Sequence, residues 1–162
     1  MRVLRRLTWV VLSAFALFYL TSCGDGGGGG TVATTLVSQS FTTTITLAQE
    51  VPPPITPVGV IPGGNGRVTL DPATNVLTGS FTTTSVANAT FAHIHDGNFG
   101  VAGPVVVPLT QSPVGSGIWV VPAGTILTTP QVARLRAGGY YVNIHTTLNP
   151  TGEIRGQLIP AV

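Results

Sequence analysis

The chain has 162 residues, enough for one domain with a short leader, and only 7% of them are charged. All seven basic residues are arginines, and three of them, Arg2, Arg5 and Arg6, lie ahead of the apolar segment near the N-terminus. The rest of the chain has four arginines against five acidic residues, a net charge of −1, although the whole chain has a formal charge of +2. This composition excludes the basic surface that binding to nucleic acid requires.

The N-terminal segment predicts a lipoprotein signal peptide. The apolar stretch from Leu7 to Leu20 follows the arginines; it is too short to span a bilayer comfortably and is typical of a signal peptide. It runs into LTSC, which resembles a bacterial lipobox, the motif whose cysteine is diacylated and becomes the new N-terminus. The alternative is a chance cysteine in a membrane anchor. We therefore predict a signal peptide over residues 1–22 and lipidation at Cys23.

The predicted lipid anchor is followed by a tether and a single domain. Residues 23–34 contain the cysteine and five consecutive glycines, a composition typical of a flexible linker. Acyl chains on the cysteine would attach the protein to the membrane of the bacterial cell envelope, facing the periplasm or the outer surface. Residues 35–162 form the domain, which contains no cysteine and so depends on its core rather than on disulfides.

Turn residues separate many short segments rich in threonine, valine and phenylalanine, which predicts strands. The alternation in FTTTITL (41–47) is that of a half-buried strand. Residues 51–66 contain too much proline and glycine for a central strand and predict a long loop or an edge strand. Residues 67–81 predict a hairpin with its turn at 71–75. Further strands are predicted at 89–95, 104–109, 117–121, 140–147 and 153–159.

One segment predicts a helix. Thr129 is its expected N-cap, Pro130 suits its first turn, and Gly138 and Gly139 follow its end. The many regularly spaced strands predict an antiparallel β-sandwich or barrel. The expected fold class is therefore all-β with one short helix, after the signal peptide.

The three histidines of the chain fall in two predicted strands. His93 and His95 are two residues apart, so they share a strand face at about 7 Å along the chain, and Asn143 and His145 have the same spacing. Three imidazoles on neighbouring strands would form a zinc or copper site with an open fourth position. The alternative is a polar cluster in which neutral histidines bond to Asn143, Glu50 or backbone carbonyls.

Charged residues are scarce, so those next to apolar strands need partners. Arg155 lies in the last predicted strand and shares a face with Glu153, whereas Glu50 lies far earlier in the chain, between Leu47 and Val51. A buried Glu50–Arg155 pair is one interpretation, and a solvated strand face is the other. Asp96 directly follows His95 and could orient its ring. The candidate polar cluster consists of Glu50, Asn143, Glu153 and Arg155.

Three segments, in this order, resemble the CHRD domain: LAQEVPPP (47–54), AHIHDGNFGVAGPVVVPL (92–109) and LRAGGYYVNIHTTLNPTGEIRGQL (135–158). That domain is repeated in chordin and occurs singly in many bacterial exported proteins. The resemblance implies an immunoglobulin-like β-barrel with limited similarity to Cu/Zn superoxide dismutases, whose copper-binding histidine pair is similar to His93 and His95. This chain lacks the acidic zinc ligand, the cysteine pair and the fourth histidine of those enzymes, so dismutase activity is not implied.

Three classes of function remain. The first, which we favour, is a binding module on a tether whose partner is an unknown envelope protein or small ligand. The second is a copper- or zinc-binding protein using His93, His95 and His145. The third is a metal-dependent enzyme such as a copper oxidoreductase, ranked last because the sequence offers no general acid–base partners and no catalytic residue.

Overall fold

The computed structural model describes residues 36–161. The predicted signal peptide, lipidated cysteine and tether lie outside the described residues. The strands are β1 Gln39–Thr46, β2 Gly63–Leu70, β3 Leu77–Thr84, β4 Ala89–Asp96, β5 Val105–Pro108, β6 Thr110–Gln111, β7 Ile118–Val120, β8 Tyr140–Thr146, β9 Ile154–Gln157 and β10 Ile159–Pro160. A 3₁₀ turn spans Leu47–Gln49, and helix α1 spans Thr129–Arg136.

The strands form one antiparallel sheet that nearly closes on itself. Their order is β5-β4-β8-β9-β1-β2-β3-β7-β6, with β10 paired to β1. Only Leu109 separates β5 from β6, so one continuous segment pairs with β4 at one end of this order and with β7 at the other. The described part of the chain is therefore an all-β barrel or sandwich with a single short α-helix, which confirms the predicted fold class.

Alternation along the strands separates an apolar interior from a polar outer face. Phe41 and Ile45 of β1, Phe81 of β3, Ile94 of β4 and Ile144 of β8 are all buried in the core. Burying each such side chain is worth roughly 1.5–3 kcal/mol. Because neighbouring residues in a strand point to opposite faces, the odd-numbered residues of β4 and β8 lie on the outer side of the sheet.

The prediction that residues 51–66 avoid a central strand is wrong for their last part. Residues 51–62 form the expected loop, but β2 begins at Gly63 and lies between β1 and β3. A Cβ at Gly66 would collide with the ring of Phe81, and one at Gly64 with the backbone of β3. These glycines therefore permit a close approach of backbones inside the sheet, which is a known use of glycine in strands.

Helix α1 begins at Thr129, the residue that was predicted to be its N-cap, so the N-cap lies one residue earlier than predicted. The N-cap is Thr128, whose hydroxyl accepts a hydrogen bond from the backbone N–H of Gln131, while the Gln131 side chain accepts one from the N–H of Thr128. Thr129 is the first helical residue, and Pro130 lies in the first turn as expected. Within residues 36–161, no helix has the length and hydropathy needed to cross a bilayer.

Candidate metal centre

The three histidines lie on the outer face of two paired strands. In the β4–β8 register, His95 is opposite Tyr141 and His145 is opposite Phe91. His93 lies on the same face of β4 as His95 because the two residues are two positions apart. The structure thus brings together the residues that the sequence placed in two distant segments.

The imidazoles form a compact cluster. One ring nitrogen of each histidine lies within 4.8 Å of those of the other two, and Nδ1 of His93 is 3.1 Å from Nε2 of His145. Ring centroids of His95 lie 5.5 Å from His93 and 5.8 Å from His145. Nitrogens bound to one tetrahedral zinc ion, at about 2.0–2.1 Å from the metal, lie ~3.3 Å apart. Small side-chain adjustments would therefore let the three rings share one ion.

Two of the rings are oriented by backbone carbonyls. Nδ1 of His95 is 2.9 Å from the carbonyl oxygen of Gly103, and Nδ1 of His145 is 3.0 Å from that of Pro150. Since a carbonyl only accepts, each Nδ1 carries the proton and each Nε2 keeps its lone pair. Metal-ligating histidines are usually fixed in this way by a partner on the second nitrogen.

Burial keeps the imidazoles neutral. It lowers the pKa of His93 to about 4, with further lowering by the neighbouring imidazoles, and it is also the largest cause of the lowered pKa of His95 and of His145. Neutral imidazole is the form that binds metals. Nε2 of His95 is buried without a hydrogen-bond partner, a condition that costs about 1–3 kcal/mol unless something binds there.

Asp96 does not orient His95, and that prediction is wrong. Its carboxylate instead accepts a hydrogen bond from Arg134 of α1 at 2.8 Å. The role belongs to Gly103, in the segment that joins β4 to β5 and that we name the covering loop (residues 97–104). The carboxylate was the nearer group in sequence, but the turn of the loop brings a carbonyl to the ring.

The candidate polar cluster is buried, so the solvated strand face is wrong. Glu50 accepts hydrogen bonds from Asn143 Nδ2 at 3.3 Å and from the N–H of Val51 at 3.1 Å. Among the described residues Glu50 and Arg155 form no direct ion pair, which corrects the other interpretation. Burial raises the pKa of Glu50, opposed by the Val51 N–H and by the charge of Arg155. Glu153 accepts from two side chains on its own hairpin.

Sequence reasoning did not assign the groups that hold the histidines. The carbonyls of Gly103 and Pro150 carry no side-chain signal, so no pattern could identify them. Tyr141 did carry a signal, because it shares the strand face of His145 at an even spacing. Asn149 lies between β8 and β9, and its side-chain amide exchanges two hydrogen bonds with the backbone of Ile55.

Comparison with protein families agrees with the motifs and with the fold. The family model described as the CHRD domain matches residues 41–158, which include the three histidines and the polar cluster. Searches of curated proteins and of solved structures returned no match. The chain therefore belongs to the CHRD domain family, the family that its motifs resemble.

Proposed function

We propose that this CHRD domain binds copper or zinc through His93, His95 and His145. The observation that carries the proposal is the buried, unpartnered Nε2 of His95 in a cluster whose ring nitrogens lie within 4.8 Å of one another. Imidazole donors suit both metals, and a site of this kind binds copper(II) more tightly than zinc. Three protein ligands leave a position open for a further ligand. On this proposal, the metal ion is the ligand of the binding module that the sequence favours.

A purely structural cluster accounts for the geometry less well. One hydrogen between Nδ1 of His93 and Nε2 of His145 would satisfy both atoms, since they are 3.1 Å apart. Nε2 of His95 would still be buried without a partner. A shared ion accounts for all three nitrogens, and it also explains why two rings present Nε2 while carbonyls hold their Nδ1–H groups.

Elemental analysis of the full-length protein, purified without a histidine tag and soaked with copper or zinc, tests the proposal. We expect about one equivalent of metal for the wild type and less than about 0.1 for His95→Ala and for His145→Ala. Asn65→Ala, an exposed substitution on β2, is the control and should bind like the wild type. A folded wild type with less than about 0.1 equivalent of either metal overturns the proposal.

We also propose that the protein is anchored in the bacterial envelope through lipid on Cys23. The support is in the sequence: three arginines, an apolar stretch from Leu7 to Leu20, and small residues before the cysteine. The glycine-rich tether would then separate the domain from the bilayer.

An envelope protein as partner is the second candidate, favoured by exposed apolar side chains on β4 and on the covering loop. Phe91, which stacks on His93, is 64% exposed, and Phe99 of the covering loop is 69% exposed. Exposed apolar groups near a polar site are typical of interaction surfaces. Pull-down from envelope extract should capture a protein with the wild type and not with Phe91→Ser/Phe99→Ser. Equal capture by both proteins would exclude this surface.

A further inference from the structure

Arg155 is a buried cation whose hydrogen bonds go to a loop. Its side chain is 1% exposed, and its guanidinium carbon lies 3.5 Å from the centroid of the Tyr141 ring. It donates hydrogen bonds to the backbone carbonyls of Asn98 at 2.7 Å and Val101 at 3.0 Å, and to the side chain of Gln157 at 3.2 Å. Burying a charge costs free energy unless the charge is well hydrogen-bonded, so the groups bonded to Arg155 are important to the fold.

The groups held by Arg155 are those that fix His95. The ring of Tyr141 stacks on the His95 ring with centroids 5.0 Å apart and an interplanar angle of 11°. The Tyr141 hydroxyl accepts a hydrogen bond from the N–H of Gly103 at 3.1 Å, and the carbonyl of Gly103 is 2.9 Å from Nδ1 of His95. Both contacts that orient His95 therefore lead back to Arg155, one through the ring and the other through the covering loop.

The order of the strands explains this arrangement. β8 lies between β4 and β9, so Tyr141 of β8 is directly opposite His95 of β4, while Arg155 of β9, which is opposite Asn143, reaches the Tyr141 ring diagonally. The guanidinium is planar and has five donors in a fixed fork, so it can bond two loop carbonyls while lying over an aromatic ring. A lysine ammonium is a single strongly hydrated charge and cannot reproduce both interactions.

We propose that Arg155 is a positioning residue of the three-histidine site, which holds Tyr141 and the covering loop so that His95 presents Nε2 to the metal. This inference rests on the proposed metal binding. Arg155 contacts no atom that would bind the metal, and it acts on the site through the two contacts that orient His95.

The test compares copper binding by the full-length wild type, Arg155→Lys and Tyr141→Phe. Changes in groups that orient a ligand typically weaken metal binding about 10–100-fold, and we expect a loss in this range for Arg155→Lys and a smaller loss for Tyr141→Phe. The electron paramagnetic resonance spectrum of bound copper should also change in Arg155→Lys. The control is Arg67→Lys, an exposed residue of β2, which should match the wild type in both.

A second measurement uses the metal-free protein and so does not depend on metal binding. Imidazole ¹⁵N resonances should show His95 protonated at Nδ1 in the wild type and a mixture of tautomers in Arg155→Lys. A wild type that binds no copper overturns the proposed function, whereas the tautomer of His95 still reports on positioning.

Unchanged copper affinity, spectrum and tautomer in a folded Arg155→Lys variant overturn the inference. If circular dichroism shows that Arg155→Lys does not fold, Tyr141→Phe decides, because it keeps the ring and removes only the acceptor for Gly103. Copper affinity of Tyr141→Phe within about twofold of the wild type then overturns the inference.

Discussion

At the scale of single residues, Glu50 and Asn143 share one hydrogen bond, yet each side chain also has a buried polar atom without a hydrogen-bond partner. Glu50 Oε2 and Asn143 Oδ1 are both buried acceptors, while Asn143 Nδ2 donates to Glu50 Oε1. A proton on Oε2 of Glu50 would turn this buried acceptor into a donor, and Asn143 Oδ1 is a buried acceptor without a partner on the neighbouring side chain. The fold therefore favours the neutral carboxyl, in agreement with the raised pKa that burial gives Glu50.

Glu50→Gln tests this interpretation. The pKa of Glu50 is higher in the folded protein than in the unfolded chain. The contribution of Glu50 to stability is therefore complete below its ordinary pKa and is lost as pH rises through the raised pKa of the folded state. The amide keeps one acceptor and supplies the missing donor at every pH. We expect Glu50→Gln to be more stable than the wild type at pH 7, by about 1 kcal/mol, with the difference falling towards pH 4.

Urea unfolding of both proteins at several pH values measures this difference, and other titrating groups cancel between them. A difference that stays constant from pH 4 to pH 7 would show that folding leaves the pKa of Glu50 unshifted, and one that grows towards pH 4 would show that the fold keeps Glu50 charged.

The sequence predicted the candidate ligands better than the groups around them. The shared face of His93 and His95 followed from strand alternation, which is a local feature, whereas their meeting with His145 depends on the pairing of β4 with β8. The pairing of Glu50 with Arg155, one of the two interpretations of these scarce charges, was wrong, because Arg155 bonds carbonyls of the covering loop instead. The positions of loop carbonyls depend on the path of the loop in the folded structure, and the residue types of the loop do not predict that path.

At the scale of elements, the short helix, which is not part of the sheet, holds the covering loop through hydrogen bonds. Arg134 near the end of α1 bonds both Asp96 at 2.8 Å and the side chain of Asn98 at 3.0 Å. The N–H of Gly97 donates to the carbonyl of Gly139, just after the helix. The predicted helix was thus correct in position, but its predicted N-cap, Thr129, was wrong by one residue.

Thr128→Ala should destabilise the domain by about 1 kcal/mol, because it removes the hydroxyl that caps α1. Thr129→Ala is the matched control, since Thr129 lies in the first turn and should change stability by less than about 0.5 kcal/mol. Thermal unfolding of the two variants distinguishes them. A larger loss in Thr129→Ala would place the cap where the sequence alone suggested it.

At the scale of the whole molecule, the apolar core and the candidate site lie on opposite faces of the sheet. The apolar core lies inside the sheet, whereas the histidines and the polar cluster lie on its outer face under the covering loop and the 51–62 loop. The candidate ligands come from β4 and β8, which are adjacent, so the ligand set is formed by cross-strand pairing rather than by loops. A site built on paired strands is held rigidly by the fold that carries it.

Cys23→Ser tests the proposed anchor. We expect the wild type to lack residues 1–22 and to carry acyl chains, and the variant to retain those residues and to incorporate no fatty acid. Intact mass and fatty-acid labelling in a bacterial host measure both changes, with Thr31→Ser in the predicted tether as the control. An unmodified wild-type mass would exclude the anchor. The proposed metal site should be unaffected, since all its residues lie beyond residue 49.

Metal binding should stabilise the whole domain, because the unfolded chain does not hold the three imidazoles together. A ligand that binds only the native state, at 100 times its dissociation constant, contributes about 2.7 kcal/mol. For a domain of this size we expect the unfolding temperature to rise by roughly 10 °C when copper or zinc is added, and to return to its starting value with a chelator. Differential scanning calorimetry measures the shift, and His145→Ala should show none while remaining folded. A rise of equal size in His145→Ala would mean that the metal binds elsewhere, and the outer face of β4 and β8 would then have only a structural role.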